Sequence, residues 1–223
     1  MATSSRNSDA SLLRLSRYHC FLGQLQGVRS RRPVTSRELA EELGLSEETV
    51  RHDLKNVRIE GRPGAGYDAK ELYAAIQEYL DLSAEHPFIA VGAPDVLAGL
   101  PVMFPAHSFG MRAVGYLTDD PEAVGRRAGD AQIASLSDAA ALVAETGATL
   151  ALVACAPESL DDVAQQLRDA GVRGLLVLTP VLSPLEVDGL EVTYFRIPCA
   201  LKSLARTIAE PEQRSASCCG AGA

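Results

Sequence analysis

The sequence predicts an α/β protein in two parts: a small helical N-terminal part and a larger part built on a parallel β-sheet. Three observations carry that prediction. Residues 35–58 hold two short, capped helical patterns around a glycine, residues 88–178 alternate short apolar runs with a helical pattern, and the two parts differ in charge. The 223 residues include 21 Lys and Arg against 29 Asp and Glu, a formal net charge of −8, and 47% are apolar types. That apolar share belongs to a folded chain and excludes a flexible polar one. Taken as one number, −8 argues against a nucleic-acid binder, because phosphate draws Lys and Arg. The distribution reverses the argument. Residues 1–80 carry 12 basic and 11 acidic side chains, whereas residues 81–223 carry 9 and 18. Seven of the Arg lie within the first 37 residues, against the single acid Asp9. Parts so different in charge suggest different partners.

In the first part, Leu12, Leu13, Leu15, Phe21, Leu22 and Leu25 predict an apolar helical face that ends near Gly27. Thr35-x-x-Glu38 matches a capping box, in which the hydroxyl accepts from the third helical N–H and the Glu reaches back. The helix it starts turns Leu39, Ala40 and Leu43 inward and stops at Gly44, a residue suited to the left-handed C′ position. Ser46 caps a second helix, with Glu47 and Glu48 at the positive end of its dipole and Val50, Leu54 and Val57 on its buried face. Arg51, His52, Lys55 and Arg58 fall on the other side, with Thr49 beside them. Glu47, Glu48 and Asp53 dilute that charge. A helical hairpin with a solvated charged face would share this pattern, but Gly61-Arg-Pro-Gly-Ala-Gly-Tyr67 follows directly, where a winged helix places its wing. Residues 1–83 therefore read as a winged helix-turn-helix DNA-binding domain. Arg51, His52 and Lys55 are expected at base edges or nearby phosphates, and Arg29, Arg31, Arg32, Arg37 and Arg62 at the DNA backbone.

The joint is Asp81-Leu-Ser-Ala-Glu-His-Pro87. Beyond it, Phe88–Gly92, Arg112–Leu117, Leu150–Cys155 and Gly174–Leu178 read as strands. Residues Pro157 to Ala170 read as a helix, with Leu160, Val163, Ala164 and Leu167 at helical spacing before Gly171. Strand, helix, strand in succession implies parallel pairing with right-handed crossovers, so residues 84–198 predict a Rossmann-like domain. A last helix follows Pro198, apolar at Leu201, Leu204, Ala205 and Ile208, and residues 199–223 end in a small, polar tail expected to be mobile from Pro211.

The start of the chain lacks the apolar core of a signal peptide, and no apolar run approaches the ~18–20 residues that span a bilayer. Five cysteines, with no Cys-x-x-Cys pair, suit a reducing cytoplasm. Cys155 precedes a helix start, where a thiol pKa is lowered, although a small buried filler is the plainer reading. Cys218 and Cys219 adjoin in the tail without His or further Cys for a metal. His19, His52, His86 and His107 form no ligand spacing, and no catalytic set can be placed, so no enzyme activity and no metal site are expected.

The order and spacing of several stretches resemble the Rex family of bacterial redox-sensing repressors, which read the NADH/NAD+ ratio. They are Thr35-Ser-Arg-Glu-Leu-Ala-Glu-Glu-Leu-Gly-Leu-Ser-Glu-Glu-Thr-Val-Arg-His-Asp53, Gly64-Ala-Gly-Tyr67, Asp120-Pro-Glu-Ala-Val-Gly125 and Ala170-Gly-Val-Arg-Gly-Leu-Leu-Val-Leu-Thr-Pro180. The resemblance runs from about Arg14 to Ala205. It implies operator DNA as partner, NADH or NAD+ as ligand, release of DNA by NADH, and a homodimer that exchanges its C-terminal helix. It also implies a dinucleotide turn at Gly92, Ala93, Pro94, Asp95, Val96 and Leu97, with Thr118 beside the ribose. Here the chain departs from the family pattern. Pro94 and Leu97 stand where Gly-x-Gly-x-x-Gly has its second and third glycines, so a ring and four carbons are expected to obstruct close approach. Pro101 is expected to limit the following helix to one or two turns. Thr118 stands for the ribose-binding acid, Val177 for an Asn, and Arg196 for an Asp of the switching machinery. Two alternatives follow: a regulator of this type that has lost NADH binding, and a nucleotide-binding subunit of a CoA-ligase-like enzyme.

Overall fold

The computed structural model describes the backbone of residues 3–26, 33–62, 64–82, 84–181 and 183–218, and the side chains of these except 3–9, 26, 108 and 209–218. The chain divides into two compact units, Met1–Glu85 and His86–Ala223.

The N-terminal unit is helical. Helix α1 (Thr3–Gln26) buries Leu15, Tyr18 and Leu22, whereas Leu12 and Leu13 are exposed, which corrects the wider face expected. A helix's buried stripe is about 100° wide, and these two fall outside the stripe that 15, 18 and 22 define. Thr35 caps α2 (Ser36–Leu43) by accepting from the Glu38 N–H, and Gly44 closes it at φ 65°. Ser46 caps α3 (Glu47–Asn56) by accepting from the Thr49 N–H. Val50, Leu54 and Val57 are buried as expected. After a short wing comes α4 (Ala69–Tyr79), which sequence reasoning passed over. Asp68 caps it through the Lys70 and Glu71 N–H groups, and Leu72 and Ile76 turn into the same core as Leu15, Leu39 and Leu54.

The C-terminal unit holds one seven-stranded sheet of order β3-β4-β2-β1-β5-β6-β7, parallel except at β3. The central strands are β1 (His86–Gly92), β2 (Met111–Thr118), β5 (Leu150–Ala154) and β6 (Gly174–Val177), within a residue or two of expectation. The short strands β3 (Arg127–Ala128), β4 (Ala131–Ser135) and β7 (Glu191–Tyr194) were not foreseen, nor was α6 (Ala139–Thr146). One sheet face, with Ile89, Val91, Ala151, Val153, Leu175 and Val177, packs on α6 and α7 (Leu160–Asp169). The other packs on α5 (Pro94–Met103) through Leu97 and Leu100.

Helix α5 has ten residues, longer than the one or two turns expected. Pro101 lies in its last turn, so the missing N–H frees one carbonyl near a helix end that frays anyway. Helix α8 (Ile197–Cys218) runs past Pro211 into residues expected to be tail. Its backbone there draws on helix formers, Glu210, Glu212, Gln213, Arg214 and Ala216. Cys219 lies outside the described residues, as does the side chain of Cys218. Among the described residues no helix is long and apolar enough to cross a membrane, and no three metal-ligating side chains gather.

Candidate functional site

In the N-terminal unit, three elements meet at one concavity. Arg37 comes from the first turn of α2, Arg51 from the middle of α3, and Arg62 from the wing. The wing is a minimal hairpin: Arg62 N–H donates to the Gly66 carbonyl at 2.8 Å, and Tyr67 N–H to the Val34 carbonyl at 2.8 Å. Gly66 sits at φ 83°, and a Cβ there would lie 2.6 Å from the Val34 carbonyl oxygen, so only glycine serves. Glu47 lies in the same concavity. Its Oε1 accepts from Arg51 Nη2 at 2.6 Å and from Ser36 Oγ at 3.1 Å. Arg51 first, then Ser36, holds the Glu47 carboxyl below its ordinary range.

The other expected DNA contacts do not all share this place. His52 borders a different hollow, with Ser11, Arg14, Asn56 and Tyr79, and Arg58 lies beside Ala75 and Glu78 in a left-handed conformation at φ 58°. The Thr49 hydroxyl is engaged with Ser46 Oγ at 2.8 Å, and Lys55 is exposed near the end of α3. Arg29, Arg31 and Arg32 lie outside the described residues.

Asp53 is corrected outright. It does not dilute the outer face of α3, because it is fully buried. Its carboxylate accepts from Ser11 Oγ at 2.7 Å, Arg14 Nε at 2.6 Å, Arg14 Nη2 at 2.7 Å and Tyr18 Oη at 2.9 Å. Burial alone would push this carboxyl up; the donors of Arg14, Ser11 and Tyr18 outweigh it and hold it below its ordinary range. All three donors come from α1, so the link is invisible to any reading of α3 alone. The same unit buries His19 against Tyr73, ring centroids 4.3 Å apart, and burial lowers its pKa.

In the C-terminal unit, the candidate crevice lies at the C-terminal ends of β1, β2 and β5, where doubly wound sheets hold ligands. Gly92 ends β1, and a Cβ there would lie 2.5 Å from the Ala154 carbonyl oxygen. Ala93 caps α5 without a side-chain bond, and its carbonyl accepts from the Val96 and Leu97 N–H groups. Pro94 occupies the first helical position, where a missing N–H costs nothing. Leu97 is fully buried in the core with Phe88, Ala90 and Leu152. The four carbons expected to have no room are thus accommodated under the helix. Asp95 is almost fully exposed in the first turn, 3.6 Å from Arg126, and Val96 is partly exposed. Thr118 is buried, with its hydroxyl accepting from the Asp120 N–H at 3.2 Å, while Asp119 is exposed beside it. Leu97 packs beneath α5 and leaves the crevice open, whereas Pro94 takes away one of the free first-turn N–H donors that a diphosphate at a helix start would use. The side chains of the crevice offer two carboxylates, Asp95 and Asp119, and one guanidinium, Arg126.

Cys155 follows β5 and is buried. Burial pushes its thiol up and the charge of Asp119 adds to this, against a lowering bond from Ser159, in keeping with the plainer reading as a small buried filler.

The two units define a class, that of a winged-helix unit joined to a Rossmann-like unit. Residues 8–55 match the family described as "Putative DNA-binding protein N-terminus". The chain is 29% identical to "Redox-sensing transcriptional repressor Rex 1" of Thermotoga maritima over 163 residues, covering 72% of this chain and 78% of that one. It is also 29% identical to "Redox-sensing transcriptional repressor Rex" of Chloroflexus aggregans, covering 96% of this chain and all of that one. In fold it resembles RSP, a Rex-family repressor solved with NAD+ and operator DNA, with TM-score 0.76, 23% identity and coverage of 96% and 97%. The chain is thus similar to Rex-family repressors over nearly its whole length. These relatives are repressors rather than enzymes, so the CoA-ligase-like alternative is not favoured.

Proposed function

We propose that this chain is a DNA-binding transcriptional repressor that responds to the cellular balance of NADH and NAD+ and works as a homodimer in the cytoplasm. The observation that carries the reading is the concavity where Arg37, Arg51 and Arg62 converge from α2, α3 and the wing. Three guanidiniums from three elements match the spread of a phosphate backbone beside a groove. Arg51 and Lys55 face base edges or nearby phosphates, Thr49 supports them at the start of α3, and His52 and Arg58 contact DNA only at the margins.

The dinucleotide would lie over Gly92, Ala93 and Pro94 with its diphosphate near the start of α5, Arg126 supplying the cation and Asp119 standing near the ribose. Bound there, it brings the nicotinamide whose oxidation state is read.

The homodimer reading draws on two unpartnered apolar surfaces. Leu201, Leu204 and Ile208 on α8 are 56–61% exposed. On the sheet face that α5 leaves open, Phe88, Phe104, Met111, Leu150, Leu152 and Leu176 line a groove of ≈ 340 Å³. Exchange of α8 between two copies would cover both at once.

A mobility-shift titration tests the whole. Wild-type protein should retard a duplex it selects from a random pool, Arg51→Ala with Lys55→Ala should not, and rising NADH should release the wild-type complex. Unchanged affinity in the double variant overturns the DNA face. Indifference to NADH leaves a regulator that does not read this ligand.

A further inference from the structure

We propose that Glu47 is a specificity-determining residue of the DNA-reading surface, holding Arg51 for base edges and keeping phosphate from it; the inference rests on the DNA-binding reading above. Glu47 is the acid among the residues that line the arginine concavity. Its Oε1 is shared by Arg51 on its own helix and Ser36 on α2, at 2.6 and 3.1 Å. The carboxylate therefore ties the start of α3 to α2 through Ser36 and holds the Arg51 guanidinium from the same oxygen. Both partners are partly exposed, with side-chain exposures of 56% for Arg51 and 34% for Glu47, so the pair stands where DNA would arrive.

Three physical consequences follow. A guanidinium has five donors in a fixed fork, so the bond to Glu47 leaves others for the O6 and N7 acceptors of a guanine. A side chain already held in place has less freedom to lose on binding. A phosphate carries a full negative charge and would lie beside the Glu47 carboxylate if it paired with Arg51, whereas a base edge carries only partial charges. Glu47 thus penalises the sequence-independent contact more than the sequence-reading one, and Arg37 and Arg62 remain for phosphates. Glu47 is ionised at neutral pH like any glutamate, and its bonds to Arg51 and Ser36 favour the charged form further.

The plainer role for Glu47 is as a first-turn acid that favours the α3 dipole, and Glu48 provides the control. It carries the same charge in the same turn but does not line the concavity. Full-length wild-type, Glu47→Gln and Glu48→Gln proteins would be titrated over a salt series. The probes are the duplex that wild type enriches from a random pool and an unrelated duplex of equal length. Glu47→Gln should bind the unrelated duplex about tenfold tighter, with a salt slope steeper by about one. The enriched duplex should gain less, so that the ratio of the two affinities falls at least about threefold. Glu48→Gln should move both affinities in parallel. Glu47→Asp, which keeps the charge but shortens the reach to Arg51, should lower the ratio as well, and it serves if the Gln variant does not fold. An unchanged ratio in the Glu47 variants, an equal fall in Glu48→Gln, or loss of all binding with melting unchanged would overturn the proposal. Wild type that enriches no duplex would overturn the DNA-binding reading itself.

Discussion

In the N-terminal unit, each charge of interest is fixed by another side chain: Asp53 by Arg14, Ser11 and Tyr18, and Arg51 by Glu47. In the C-terminal unit, the crevice is fixed by backbone. Gly92 lies against the Ala154 carbonyl, the first turn of α5 closes on Ala93, and the Thr118 hydroxyl is taken up by its own turn. The two constructions fail differently. A side-chain network fails when one partner is removed and another is left buried and unpaired. A backbone crevice tolerates exchanged side chains until an added atom intrudes or a core residue is lost.

Four substitutions sharpen this contrast. The largest expected effect is in the C-terminal unit. Leu97→Gly would restore the family glycine, yet it should cost about 4 kcal/mol in urea unfolding, because it empties a core position and loosens a helix. If the variant were as stable as wild type, Leu97 would not be the core residue its burial indicates. Next comes Arg14→Ala, which leaves the Asp53 carboxylate buried without its cation. A loss of about 3 kcal/mol is expected, confined to the N-terminal unit and readable as faster amide exchange across α1 and α3. Equal loss in both units would break the comparison. Gly92→Ala should cost about 2 kcal/mol, since its Cβ meets a carbonyl that cannot withdraw without shifting β5. Operator binding measured without nucleotide should survive it.

The smallest effect is one of pH. Burial lowers the His19 pKa, so the unfolded chain takes up the proton more readily than the folded one. The His19 contribution is full above the ordinary histidine value near ~6.5 and is lost as pH falls toward its lowered folded value. The melting temperature of the N-terminal unit should fall in that window, and His19→Phe should flatten the fall. Asp53 acts in the same direction at lower pH, beneath the ordinary carboxyl value of ~3.9, where protonation removes its bonds to Arg14 and Tyr18.

What could be read from the sequence was local chemistry. Thr35, Gly44 and Ser46 act on neighbours within a few positions, and α2 and α3 begin and end where those residues require. The strands at the centre of the sheet read clearly because burial on both faces makes them continuously apolar. Asp53 did not, because its partners lie 35 to 42 residues away and a lone acid on a cationic helix looks solvated. Leu97 was misjudged for a related reason. A glycine pattern reports how close two backbones come in the family, but it does not show that a core can recede to take a leucine. Helix α4 carried a legible signal, Asp68 before Leu72 and Ile76, whereas β3, β4 and β7 are too short and too mixed in polarity to stand out.

The bond between α1 and α3 also bears on which piece of this chain could be transplanted. A helix-turn-helix cut at residues 35 to 58 and grafted onto another protein would carry Asp53 without the arginine and tyrosine that satisfy it. Nothing in the grafted segment replaces them. Gene fusion or recombination could therefore move this helix-turn-helix only together with α1, and Arg14 and Asp53, though 39 positions apart, would be inherited as one trait.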